Sequence, residues 1–326
     1  MVYKPPFKIT SLILKLSGEI SREIGILTGA KLNTSPIRLR KTNSIKTIHA
    51  SLSIEGNTLN LGQITSLFEG KRVLGPKKDI MEVQNSINAY KNLQSYNYGS
   101  INSLLSAHGK LMESLIPLSG EWRRDGVGIF KGNQVAHIAP SAKRVPILMD
   151  QVFTFLKKDK ETSWLLKACI FHYELEFIHP FSDGNGRIGR LWQQVILMKE
   201  DPIFEYISVE ELIRDNQKKY YNVLSACDKE GESTKFIEFI LEQILSTLRN
   251  YIQNTSSIIN DVDSRLDHAL LTLKNKWFSR KDYFLLQKNI SSATASRDLS
   301  YGIQKGILVQ EGEKNQAKYL FKISVV

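Results

Sequence analysis

The sequence predicts a mainly α-helical chain with one β-hairpin near its middle and a winged helix-turn-helix domain at its C-terminus. Three observations lead there. Apolar residues recur at helical spacing over most of the 326 residues. Strand-like alternation is confined to residues 120–140 and 307–323. No internal repeat or low-complexity tract points to a solenoid or a disordered chain.

In order, helical spacing starts after Pro5-Pro6 and continues to about residue 30. Residues 37–48, IRLRKTNSIKTI, are basic and carry no acid, and residues 47–61 read as a short helix broken at Gly56-Asn57. Residues 79–97 and 101–115 are amphipathic, the second run ended by Pro117. In 120–140, Val127 and Ile129 on one side and Val135 and Ile138 on the other flank Lys131-Gly132-Asn133, a hairpin signal with a glycine turn. Helical runs at 143–158 and 162–178 lead into HPFSDGNG at 179–186, and 187–199 is helical again. Runs at 208–226 and 233–252 follow, and the polar stretch 253–263 suits a boundary. Beyond it, helical runs at 264–275, 280–288 and 292–304 precede strand, turn and strand, which is the winged-helix order.

Composition excludes several classes. Hydrophobic residues are 42% and charged residues 24%, ordinary for a folded protein. No apolar run approaches the roughly 20 residues that span a bilayer, and MVYKPPFKIT has no apolar signal core. Cys169 and Cys227 read as small buried hydrophobes, and neither CxxC nor HExxH is present. A cytoplasmic setting with no membrane partner is expected. The net charge of +11 calls for an anionic partner, without choosing among nucleotide, nucleic acid and acidic protein.

The strongest signal is His179-Pro180-Phe181-Ser182-Asp183-Gly184-Asn185-Gly186-Arg187-Ile188-Gly189-Arg190. It is a loop that opens a helix. Glycines at 184 and 186 allow a tight turn and close approach of a ligand. The helix N-terminus offers unpaired N–H groups and a positive dipole end, which suit phosphate. Arg187 and Arg190 share one helix face and add two guanidiniums. Asp183, beside such phosphates, suits Mg²⁺. His179 is the group that changes protonation near neutral pH, hence the candidate general base.

These residues resemble the motif of the Fic (filamentation induced by cAMP) family, HPF-x-[DE]-GN-G-R-x-x-R, without departure. CIFHYELEFI resembles the family's central helix, GEWRR through VAHIAPSAKRVPILM its flap hairpin and following helix, and YYNVLSACDKEG its late helix near the base. The resemblance covers about residues 100–245. It implies a Fic-type helical bundle and transfer of AMP from ATP to a hydroxyl of a target protein or of the chain itself, with release of pyrophosphate. On that analogy His179 takes the hydroxyl proton and Asp183 positions Mg²⁺. Nucleotide contacts fall on Gly184, Asn185, Gly186, Arg187, Ile188, Gly189 and Arg190, with Tyr221 against adenine. Relatives with Lys in place of Gly186 transfer phosphoryl instead. The flap at 132–139 docks the target as an added strand. His137 reads as a surface residue of the hairpin and His172 as a core residue. Asp228 stands near where relatives often have Asn.

Ser51-Leu52-Ser53-Ile54-Glu55-Gly56-Asn57 resembles the family's inhibitory helix, [ST]-x-x-x-E-[GN]. That resemblance implies a helix over 47–54 ended by Gly56, with Glu55 on Arg190 in the place of the γ-phosphate. Glu55 has a second role in such proteins, orienting water for removal of AMP, so the direction of reaction stays open. Gly70-Lys71-Arg72-Val73-Leu74-Gly75-Pro76 has P-loop glycine spacing but continues Pro-Lys-Lys, and it reads as a basic loop.

From Lys274 to Lys322 there are ten Lys and Arg against four Asp and Glu. Ser291-Ser292 caps the expected recognition helix with Thr294, Ser296 and Arg297, and Lys314 and Lys318 fall on the wing. DNA binding through 274–322 and a packing role are both open. The expected organisation is an N-terminal helical region at 1–100 with the inhibitory helix near 47–56, a catalytic core at 101–252 and a winged helix at 253–326. An adenylyltransferase, a DNA-binding regulator whose loop senses nucleotide, and an AMP-removing enzyme are the functions these residues allow.

Overall fold

Residues 164–178 are apolar on nearly every side, so their helix has to lie inside the molecule. Leu165, Ala168, Cys169, Ile170, Phe171, Leu175 and Ile178 are all buried, each large side chain contributing about 1.5–3 kcal/mol on burial. The structure, a computed structural model, describes residues 3–29, 37–126, 128–131, 134–258, 262–273, 276–287, 290–313 and 316–322. In chain order the elements are α1 (Ser11–Gly29), α2 (Ile37–Ile54), α3 (Leu61–Phe68), α4 (Lys77–Lys91), α5 (Ile101–Leu111), β1 (Gly128–Lys131), β2 (Gln134–Ile138), α6 (Val145–Lys158), α7 (Trp164–Ile178) and α8 (Asn185–Glu200). They continue with α9 (Val209–Asp215), α10 (Gln217–Glu230), α11 (Thr234–Ile258), α12 (Val262–Leu273), β3 (Phe278–Ser279), α13 (Arg280–Leu286), α14 (Ser292–Gln304), β4 (Leu308–Glu311) and β5 (Lys318–Phe321). Two units are distinct, Met1–Leu27 with Lys41–Arg249, and Thr28–Arg40 with Asn250–Val326.

In the first unit α7 and α8 pack together, α6 packs on α7, and α4 and α5 pair. Trp192, Phe153, Phe171 and Phe204 fill the space between them. The mainly helical architecture expected from the sequence is present. Several boundaries differ. The basic stretch and the helix after it are one element, α2, because the apolar face of Ile45, Ile48 and Leu52 runs through both. Helix α3 escaped notice; an Asn60–Gln63 capping box starts it. Helix α5 ends at Leu111, before Pro117, and Ser114 turns the chain at φ 58°. The run at 208–226 is two helices separated at Asn216, and α11 continues through 253–258.

The hairpin is antiparallel, with Ile129 opposite His137 and an irregularity between Ile129 and Phe130. Its turn at 132–133 lies outside the described residues. Cys169 and Cys227 are free and buried, and burial pushes the Cys227 thiol up to about 11.

The second unit has a three-stranded antiparallel sheet in the order β3-β5-β4. Leu266, Phe278, Tyr283, Leu299, Leu308 and Phe321 form its core. Strand β3 was not legible in the sequence because it is two residues long. Ser279 and Asp282 cap α13 reciprocally, and Ser291 caps α14 as expected. Inside the unit Arg265 donates from Nε and Nη2 to the two oxygens of Asp298, at 2.6 and 2.7 Å, and the Tyr283 hydroxyl adds a third bond at 3.1 Å. Removing one partner of such a pair costs about 3–5 kcal/mol, because the other charge stays buried. Asp298→Ala is therefore expected to speed amide exchange along α14 by about a hundredfold or more, read by mass spectrometry.

Candidate functional site

Helix α7 ends at Ile178, and His179 follows in the left-handed region at φ 51°, ψ 60°. An L-residue there costs about 1 kcal/mol or more, so the conformation must be held. The His179 N–H donates to the Leu175 carbonyl at 2.9 Å. Its own carbonyl accepts from Arg123 Nε at 2.7 Å. The ring Nδ1 lies 3.3 Å from the Glu176 carbonyl. A carbonyl only accepts, so Nδ1 of the neutral ring carries the proton and Nε2 is its basic nitrogen, the tautomer a general base needs.

Asn185 closes the loop. Its Oδ1 accepts from the Phe181 N–H and its Nδ2 donates to the Phe181 carbonyl, both at 2.9 Å. Gly184 stands at φ 84°, just before α8, where a Cβ would lie 2.6 Å from Met112 Sδ. Gly186 is different. It sits inside the first turn of α8, and what it supplies is room: a Cβ there would lie 2.5 Å from Glu55 Oε1 and 3.0 Å from Arg190 Nη1.

Both arginines are buried. Arg190 donates from Nε to Ser51 Oγ at 3.1 Å, and from Nη2 to the Ser51 carbonyl at 3.1 Å and Glu55 Oε1 at 2.6 Å. Burial works to lower its pKa, but Glu55 leads the groups that raise it, so the guanidinium is charged. Arg187 donates from Nη1 to Glu82 Oε1 and from Nη2 to Asp183 Oδ1, each at 3.0 Å, while its Nε is buried with no partner among the described residues. Glu82 in turn accepts from Asn57 Nδ2 at 2.8 Å. The segment after Glu55 thus reaches Arg187 through one carboxylate.

The structure brings His179, Asp183, Gly184, Gly186, Arg187, Arg190 and Glu55 together. It does not bring all the expected nucleotide contacts to that face. The Asn185 side chain is occupied within the loop, so its role there is to shape the turn. Ile188 is fully buried in the core. A Cβ on Gly189 would meet His172 Cδ2 at 3.0 Å, so that glycine lets α8 approach α7. The corrections at Ile188 and Gly189 share a cause, since successive residues of a helix point in different directions; at Asn185 the main-chain N–H still belongs to the first turn of α8.

Tyr221 on α10 is 43% exposed, and its ring stands edge-on to Tyr220 at 5.3 Å. Burial raises its pKa and Glu55 adds to the rise, which sets the phenol in the field of the site. The α10 side chain Gln217 also donates to the Ile54 carbonyl at 2.9 Å. His172 is buried between Gln193 and the Tyr220 hydroxyl, a core role as expected. Tyr220 donates to Glu176 Oε1 at 3.1 Å. Burial works to raise the Glu176 carboxyl, but His172, His179 and Arg190 outweigh it and hold the group low. Asp228 accepts from the Tyr173 hydroxyl at 3.1 Å.

Two residues that support the loop were missed by the sequence reading. His108 on α5 donates from Nε2 to the Asp183 carbonyl and accepts from the Gly120 N–H at Nδ1, both at 2.9 Å. Its ring stacks on Phe181 at 3.6 Å. Arg123, in the approach to the hairpin, is the second. Each looked like a helix or loop residue, because its partner lies far along the chain.

Burial pushes the His108 imidazole down from 6.5 to about 4. In the unfolded chain it takes up a proton below about 6.5. In the fold it resists until about 4, so stability falls as pH drops through that window. The loss is about 3 kcal/mol by pH 4. Urea unfolding at pH 7.5 and pH 5 is expected to show this slope in the wild-type protein and a shallower one in His108→Gln.

Fold and loop together define a helical bundle in which the His179 loop leads into a helix N-terminus carrying two buried arginines. A model of the Fic/DOC family matches residues 98–197. A Fic family protein from Desulfovibrio desulfuricans G20 has a crystal structure 37% identical to this chain, with a TM-score of 0.75 over 98% of both chains. The chain belongs to the Fic family. Fic-1 of C. elegans shares the fold at a TM-score of 0.60 and 20% identity, over 76% of this chain and 72% of that one. A Culex quinquefasciatus protein named protein adenylyltransferase Fic is 28% identical over 84% of this chain and 51% of its own length. Its Drosophila willistoni namesake is 28% identical over 69% and 45%. The chain spans about half the length of these curated relatives.

Proposed function

We propose that this chain is a self-inhibited protein adenylyltransferase, moving AMP from ATP to a hydroxyl of a target protein or of itself. One observation carries the reading: His179, with Nδ1 on the Glu176 carbonyl, adjoins a helix N-terminus where Gly186 makes the space that Glu55 now fills, beside two buried arginines. The names of the curated relatives support it.

In the reaction the hydroxyl oxygen attacks the α-phosphorus, its proton passes to His179 Nε2, and the bond from the α-phosphorus to the oxygen bridging the α- and β-phosphates breaks, with pyrophosphate leaving. The first-turn amides of α8 receive the α-phosphate, and Arg187 and Arg190 offset charge on the outer phosphates. Mg²⁺ is commonly held by one or two carboxylates together with substrate phosphates. Among the described residues no group of three His, Cys, Asp or Glu could hold a metal alone. A half-exposed Asp183 fits an ion that comes with the nucleotide and neutralises phosphate charge. The target pairs with the hairpin at 132–139. Glu55 on Arg190 stands where the γ-phosphate would, so ATP in the productive pose must first displace it.

The labelled atom tests the reading. With Glu55→Gly protein, label from ATP carrying ³²P at the α position should become protein-bound, and label at the γ position should not. Transfer of the γ label instead would mean phosphoryl transfer and overturn the proposal.

The second unit supports a winged-helix reading of residues 253–326. Helices α13 and α14 precede the β4–β5 hairpin, and Arg297 and Lys318 are exposed. Arg280 donates to Ser296 at 3.1 Å, and Arg297 to Thr294 at 3.4 Å. Lys314 lies outside the described residues. DNA retardation that weakens steeply with salt would support binding through 274–322, and no retardation at low salt would remove it. Among the described residues no helix is long and apolar enough to cross a membrane.

A further inference from the structure

Arg123 is 3% exposed. Among the described residues, every acceptor its guanidinium reaches is a main-chain carbonyl. Nε donates to His179 at 2.7 Å, Nη1 to Asp125 at 2.8 Å, and Nη2 to Pro140 and, at 3.3 Å, to Ile178. The main-chain N–H of Arg123 adds a bond to the Pro180 carbonyl at 2.9 Å. Burial lowers its pKa, so the fold bears a desolvated charge that these dipoles must satisfy. Asp125 stands just before β1 and Pro140 just after β2, so both feet of the hairpin and the strained backbone of His179 meet on one planar group.

We propose that Arg123 is a positioning residue that locks the target-docking hairpin and the His179 base into one frame. The inference rests on the adenylyltransferase reading. A target strand paired with the hairpin then holds its hydroxyl at a fixed distance from Nε2. Displacement of a reacting group by an ångström costs about a hundredfold in rate. A lysine has a point charge with three donors and cannot span four carbonyls arranged as a fork. None of these bonds reaches Gly184–Arg190, so ATP affinity is expected to stay near that of the parent.

The test compares Arg123→Lys and Arg123→Gln in the Glu55→Gly background. Three quantities are read: self-AMPylation rate, affinity for ATP by calorimetry, and amide exchange at 128–131 and 134–138. Transfer about a hundredfold slower, with ATP affinity within about twofold and hairpin exchange faster, is expected. Transfer at the parent rate in Arg123→Lys, or loss of transfer and ATP affinity together, would overturn the clamp. If the Glu55→Gly parent itself transfers nothing, the adenylyltransferase reading has failed, and exchange alone decides whether Arg123 joins the hairpin to the loop. Should neither variant fold, the Arg123 Nε proton of the parent decides: exchange as fast as that of the exposed Arg124 overturns the proposal, and strong protection upholds it.

Discussion

Glu55→Gly is expected to raise AMP transfer roughly 10- to 100-fold over the wild-type protein. The size follows from one contact. Glu55 Oε1 accepts from Arg190 at 2.6 Å, and the Arg190 side chain is 1% exposed. A hydrogen bond between charged groups contributes about 1.5–3 kcal/mol, and each 1.4 kcal/mol is a factor of ten in a population. Arg190 does not collapse when the carboxylate goes, because Ser51 still accepts from its Nε and Nη2. On the proposed function, the guanidinium is therefore already in position for ATP. Rates of label incorporation from α-labelled ATP, at equal protein concentration, read the effect. A Glu55→Gln protein should fall between the two, since it keeps the size of the side chain and loses the charge.

The second large effect lies at the base. In the Glu55→Gly background, His179→Ala should lower the transfer rate by about 10²- to 10⁴-fold, the usual contribution of a positioned general base. ATP affinity should stay within a few fold, because the α8 amides and both arginines are intact. The separation between rate and affinity distinguishes loss of a base from collapse of the loop. Collapse is guarded against by groups other than the imidazole. Asn185 and His108 hold the loop from either side through Phe181 and Asp183, and none of the three bonds involves the His179 ring.

Much of this site was legible because its chemistry is local in sequence. His179, Asp183, Gly184, Gly186, Arg187 and Arg190 fall within one loop and the first two turns of one helix, and a helix N-terminus collects them without help from the rest of the chain. Glu55 was legible for another reason: the helix break at Gly56-Asn57 marks where a side chain must project, and the resemblance supplied its partner. What stayed hidden was every contact that depends on the tertiary path. Glu82 is one polar position of an amphipathic helix until it meets Arg187. Arg123 is one of two arginines before a hairpin, with nothing local to single it out, yet it is buried against four carbonyls. Over-assignment came from the opposite error. Taking the whole motif as ligand-facing put Ile188 and Gly189 on the nucleotide, although a helix turns them toward the core and α7. The helix boundaries moved by a few residues for similar reasons, since capping at Asn60 and the break at Asn216 are side-chain events that apolar spacing does not register.

The most direct measurement is intact-mass spectrometry of the wild-type, Glu55→Gly and Glu55→Gly/His179→Ala proteins after incubation with ATP and Mg²⁺. The account expects an added AMP on Glu55→Gly, little or none on the wild type, and none on the double variant. Equal AMP on wild type and Glu55→Gly would contradict the inhibitory role of the Glu55–Arg190 contact, and equal AMP on the double variant would contradict the role of His179.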